Sequence, residues 1–88
     1  MKLIPITGPA ASGKTTYLRK LAEEHGVDVH VGSQHTRVAL ERRVLGSAAD
    51  GVKVLLLDDC TEDQMRQLER LCKSTLAPSM QVYAVRAA

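Results

Sequence analysis

Leu3-Ile4-Pro5-Ile6-Thr7-Gly8-Pro9-Ala10-Ala11-Ser12-Gly13-Lys14-Thr15-Thr16 is the stretch on which the fold of this 88-residue chain turns. Leu3 to Thr7 is apolar and too short for a helix, and glycine and proline close it, which suits a buried strand ending at Gly8. Gly8, four residues, then Gly13-Lys14-Thr15 is the spacing of a phosphate-cradling loop. Glycines let the backbone curl so that successive amide hydrogens face one anion, and a helix opening at the loop's end adds its positive pole. Gly8, Pro9, Ala10, Ala11, Ser12, Gly13, Lys14, Thr15 and Thr16 are therefore expected to wrap the phosphates of a nucleoside triphosphate. Lys14 would reach the β and γ phosphates, and the Thr15 hydroxyl would hold Mg²⁺. The plain alternative is a glycine-rich turn carrying a surface lysine. A strand before the loop and a helix after it weigh against that alternative.

Working outward, Leu18, Leu21, Ala22 and His25 form a helical stripe opposite Arg19, Lys20, Glu23 and Glu24, with Gly26 as the stop. Val27, Val29 and Val31 alternate with Asp28 and His30 before Gly32-Ser33, the pattern of a half-buried strand at a sheet edge. A second helix is expected from Thr36 to about Leu45, with Leu40, Val44 and Ala48 spaced by four and Gly46 to Gly51 breaking it. Val52 to Leu57 reads as a central strand whose carboxyl end carries Asp58 and Asp59. Thr61 and Gln64 have the spacing of a capping box, and Glu62 and Asp63 suit the positive end of the helix they open. Met65, Leu68, Leu71, Cys72 and Leu76 are its buried stripe and Pro78 its stop. Met80 to Val85 is a fourth strand. Strands alternating with helices imply right-handed crossovers and a parallel α/β sheet with helices on its faces.

The length allows one domain, residues 1 to 88, and a core small enough that ligand or self-association would help to stabilise it. Cys60 and Cys72 have no metal-ligand spacing and His25, His30 and His35 are scattered, so reduced thiols in a cytoplasm are expected. No signal-peptide pattern and no membrane-length apolar run is present, which implies no membrane partner. A net charge of +2 and two aromatic residues, Tyr17 and Tyr83, give no indication of nucleic-acid binding.

The phosphate loop, the alternating strands and the acidic end of the third strand together resemble the P-loop NTPase superfamily over nearly the whole chain. In that superfamily an apolar strand ending in aspartate serves the magnesium shell, and Val54-Leu55-Leu56-Leu57-Asp58 matches it. The resemblance implies that Asp58 holds Mg²⁺, usually through water. In the branch containing AAA+ and RecA-like ATPases the next residue is an acid that polarises the attacking water. Asp59 stands there, one methylene shorter than the usual glutamate, which implies slow hydrolysis. The same branch inserts its fourth strand between the first and third, so the order 1-4-3-2 is expected, with three flanking helices in three layers. Arg86 is placed where that branch has a sensor of the γ-phosphate, and Arg37, Arg42 and Arg43 where fingers toward a neighbour's nucleotide could arise; a charged tail and a solvated basic face are the plain readings.

The likeness is to the nucleotide core alone: the lid and fifth strand of AAA+ proteins do not fit, nor do the lasso and zinc site of thymidine-kinase-like enzymes. ATP is the expected ligand over GTP because no asparagine-lysine-any-aspartate motif occurs. The expected activity is that of a weak ATPase, with a non-catalytic nucleotide-sensing or assembly module as the rival and a small-molecule kinase third. A homo-oligomer is expected because four strands and three helices, ending at Ala88, would leave sheet surface uncovered.

Overall fold

The computed structural model of the chain describes residues 1–6, 13–74 and 80–87. Gly8 to Ser12 of the expected phosphate loop, and Leu76 and Pro78 at the end of the third expected helix, lie outside the described residues. The elements run β1 (Lys2–Ile6), α1 (Lys14–His25), β2 (Val29–Val31), a 3-10 turn (Gly32–Gln34), α2 (Arg37–Ala49), β3 (Val54–Cys60), α3 (Glu62–Ser74) and β4 (Gln81–Arg86). The strands form one sheet in the order β1-β4-β3-β2, and every pairing is parallel. The expected architecture is thus the one found.

Alternation along the central strands builds two cores. Leu55, Leu57, Val82 and Ala84 face Leu40 and Val44 of α2 and Met65, Leu68 and Leu71 of α3. Val54, Leu56 and Val85 face Leu18 and Leu21 of α1 on the other side. β3 is buried on both faces from Val54 to Leu57, the reason its sequence is a continuous apolar run rather than an alternating one. His25, read on the stripe of α1, is instead exposed at the helix end.

Two boundaries differ from expectation. The second helix runs past Gly46 to Ala49, because Ala48 packs on the core and Ala48 and Ala49 favour helix, offsetting a glycine cost of about 1 kcal/mol. It stops at Gly51, whose φ of 78° only glycine adopts easily. The third strand begins at Val54 and continues through the two acids to Cys60 rather than closing at Leu57. Between Leu57↔Ala84 and Cys60↔Arg86, three steps on β3 oppose two on β4, which is a β-bulge. Its extra residue turns Cys60 onto the same face as Leu57, among the α2 and α3 side chains.

Both edges bear on association. Lys2 donates its amide to the Met80 carbonyl at 2.9 Å, so Lys2, Ile4 and Ile6 turn their backbone groups toward β4 while Leu3 and Pro5 turn theirs to the open edge. Pro5 has no hydrogen to offer there, which blunts that edge against another strand. At the other edge, β2 has three residues and passes directly into the 3-10 turn. That turn lies tight on β3: a Cβ at Gly32 would sit 2.6 Å from Cys60 Sγ, 3.2 Å from Cys60 Cα and 3.3 Å from the Asp58 carbonyl oxygen. Any side chain there would push the turn off the strand.

Candidate functional site

The start of α1 and the acidic end of β3 meet at the carboxyl end of the sheet, the end at which open parallel sheets bind ligands. Gly13 has φ 78° and precedes α1, whose first turn holds no acidic residue. Among the described residues no side chain caps this helix. Thr15 Oγ1 donates to Asp58 Oδ2 at 3.2 Å, joining α1 to β3 across 43 residues of sequence. Lys14 Nζ donates to the Arg86 carbonyl at 3.4 Å, bringing the lysine over the end of β4. Lys14 and Thr15 of one sequence pattern and Asp58 of another are therefore brought to the same end of the sheet. Thr16 is exposed on the first turn of α1.

The bulge decides what the two acids do. Asp58 is half-buried and its Oδ1 accepts from the Asp59 amide at 2.8 Å, which leaves its other oxygen for Thr15. Asp59 takes φ 52°, a left-handed conformation that aspartate tolerates better than most residues. The turn swings its carboxylate away from Asp58 and toward the 3-10 turn, where Ser33 Oγ donates to Oδ2 at 2.7 Å. Consecutive acids on a flat strand would point to opposite faces. Here the two are separated by the bulge and held by different partners.

Nothing in the sequence marks Ser33 as a partner of Asp59, and the capping-box spacing marks Gln64 only as half of that box. Gln64 does complete the capping box: its Oε1 accepts from the Thr61 amide at 2.9 Å and Thr61 Oγ1 accepts from the Gln64 amide at 3.2 Å. It is also buried, and its side-chain amide donates to the carbonyls of Gly32 at 2.6 Å and His35 at 3.1 Å. Gln67, likewise buried, donates to the Arg37 carbonyl at 2.7 Å. The signal was present, since Gln64 lies four before Leu68 and seven before Leu71 on the apolar stripe.

The arginines separate. Arg86 extends to Glu62 at 4.0 Å, an exposed and weak pair, so only its carbonyl faces Lys14. Arg43 Nε donates to His35 Nε2 at 2.9 Å, and His35 Nδ1 donates in turn to the Val31 carbonyl at 2.8 Å. Arg37 and Arg42 are exposed on α2.

Burial first, then the carboxylates of Asp58 and Asp59, push the Cys60 thiol up to about 12, so it stays protonated and unreactive beneath the site. Burial likewise raises the Cys72 thiol. His30 is lowered, by burial first and then by Arg43 and His35, which favours its neutral form.

A threonine hydroxyl and a carboxylate within hydrogen-bond distance are hard oxygen donors of the kind magnesium takes, and two protein oxygens leave room for phosphate and water oxygens. The donor set therefore fits Mg²⁺. Among the described residues no helix is long and apolar enough to cross a membrane. Comparison with family models, with curated proteins and with solved structures returns no match to this chain.

Proposed function

We propose that this chain is a P-loop-like protein that binds Mg²⁺ and a nucleoside triphosphate, ATP in preference to GTP, and hydrolyses it weakly. The observation that carries the proposal is the 3.2 Å contact between Thr15 and Asp58, two residues that the phosphate-loop and acidic-strand patterns assign independently to one cation. Lys14 beside them supplies the charge for the β and γ phosphates. Bound Mg²⁺ would neutralise phosphate charge, held by Thr15 and by Asp58, the latter through water. Asp59 would take the proton of an attacking water, and Ser33 fixes the direction of its carboxylate. Calorimetry with ATP, with and without Mg²⁺, followed by phosphate release from the same sample, tests binding and turnover separately.

One observation favours a non-catalytic, nucleotide-sensing or assembly role instead. Asp59 Oδ2 is already engaged by Ser33, which holds the short side chain toward the 3-10 turn and away from Asp58. Asp59→Asn distinguishes the two: a base acting on water lowers turnover by roughly a hundredfold and leaves affinity nearly intact. Equal loss of both would contradict that division. Asp58→Asn is expected to weaken the magnesium dependence of binding far more than binding without metal, and an unchanged magnesium effect would remove Asp58 from the cation's shell.

We further infer a cytoplasmic homo-oligomer. The blunted β1 edge argues against strand addition there, and the outer face of α2 is the better surface. Val38 and Leu45 stand 56% and 39% exposed, seven residues apart and so on one side of the helix, with Arg42 beside them. Sedimentation at micromolar concentration is expected to show a species larger than the 9.6 kDa chain, and ATP with Mg²⁺ should strengthen it if an arginine reaches across. A monomer unchanged by nucleotide over a wide concentration range would sink this inference.

A further inference from the structure

Beside the nucleotide site, a cleft of about 730 Å³ opens between the 3-10 turn with the start of α2 on one wall and α3 on the other. That volume suits a small molecule. Three arginines line it, Arg37, Arg66 and Arg70, against two acids, Asp63 and Glu69. Arg66 is engaged by Glu62 at 3.4 Å and Asp63 at 3.9 Å. Among the described residues no carboxylate comes within salt-bridge distance of Arg37 or Arg70, which leaves two guanidinium groups available to one ligand. Arg37 and Arg70 also border an adjoining hollow of about 180 Å³ with Gln67 and Glu41, so they stand on the ridge between the two.

The backbone adds to this. α2, 13 residues long, has no acidic residue in its first turn, and Arg37 occupies its first position. A cation is unfavourable at the positive end of a helix unless an anion stands between them. The walls are also firm, because Gln64 and Gln67 are buried and tie α3 to the Gly32, His35 and Arg37 carbonyls. Guanidinium forks on a rigid wall suit planar or tetrahedral oxyanions.

We propose that this cleft is a second binding site, for a small molecule bearing carboxylate or phosphate groups. Ser33 belongs to both sites, lining the cleft and donating to Asp59, so the second ligand sits next to the acid expected to act on the nucleotide. The site does not depend on the phosphate loop, and the proposal stands apart from the nucleotide reading.

The test is an amide and arginine-side-chain NMR titration of the full isotopically labelled chain with citrate and, separately, inorganic phosphate, at constant ionic strength. Saturable shifts are expected at Arg37, Arg66 and Arg70, and they should persist in Lys14→Ala, which removes the phosphate-loop cation. Citrate alone would identify a carboxylate ligand and phosphate alone a phosphorylated one. Arg37→Gln and Arg70→Gln, both exposed changes whose spectra report whether the fold survives, should each weaken binding about tenfold. The proposal is overturned if neither probe gives a saturable shift at low-millimolar concentration, if the shifts vanish in Lys14→Ala, or if both glutamine variants bind like the parent. Binding of citrate by a chain that fails to bind ATP would sustain the cleft and refute the nucleotide reading.

Discussion

Lys14→Ala is expected to abolish measurable triphosphate binding while the fold survives. Lys14 opens α1, belongs to neither core cluster, and its hydrogen bond to the Arg86 carbonyl is long at 3.4 Å. Deleting the side chain therefore leaves both cores intact. In the proposed complex it removes the cation expected to face the most highly charged part of the ligand, and loss of one partner from a desolvated, hydrogen-bonded charge pair costs about 2 to 5 kcal/mol. That is roughly a 30- to several-thousandfold weakening. Calorimetry with ATP and Mg²⁺ measures it, and thermal unfolding of the same sample checks the fold. A variant that unfolds at the parent temperature and binds ATP as tightly as the parent would defeat the nucleotide reading outright.

The second large effect is on stability, at a residue distant in sequence from the phosphate loop. Gln64→Met keeps side-chain length and approximate volume but loses the acceptor of the Thr61 amide and the donor to the Gly32 and His35 carbonyls. Gly32 is buried, so its carbonyl has little water to turn to, and leaving such groups unsatisfied costs about 1 to 3 kcal/mol each when solvent cannot reach them. We expect a net loss of about 2 to 4 kcal/mol, a large share of the stability of so small a domain. The midpoint of thermal unfolding should fall by roughly 10 to 25 °C. Urea denaturation of the two chains supplies the free-energy difference. A loss under about 0.5 kcal/mol would show that water replaces the glutamine and that the 3-10 turn is not held by it. Because that turn carries Ser33, any folded fraction should also lose part of the restraint on Asp59.

These two residues mark how differently parts of the molecule could be read beforehand. The pattern around Lys14 was legible because the proposed phosphate loop is a local object: its glycines, lysine and threonine are recognised by spacing along one short stretch, between a strand and a helix. The same holds for the capping box of α3 and for the apolar stripe that buries Leu68 and Leu71, which depend on helical periodicity alone. Gln64 was legible only by half. Its capping partner is three residues away, but Gly32 and His35 reach it from 32 and 29 residues away, through the packing of α3 against β2's exit. Helix α2 was read short at Gly46 for a related reason: propensity favours a stop there, and only the packing of Ala48 on the core shows what overrides it.

The amino-acid sequence by itself determined the order of strands and helices, the face each helix buries and the residues proposed to bind phosphate, because each of these follows from periodicity or spacing within one element. The tertiary structure decided what happens where elements meet. Only the pairing of β3 with β4 reveals the bulge at the two acids, where Asp58 meets Thr15 and Asp59 meets Ser33. Only the register of β1 on β4 turns Pro5 to the open edge. The close fit of Gly32 against Cys60 and the gathering of Arg37, Arg66 and Arg70 around one cleft likewise arise from chain segments far apart in sequence. Each is set by the relative placement of two elements, a quantity that no single stretch of residues carries.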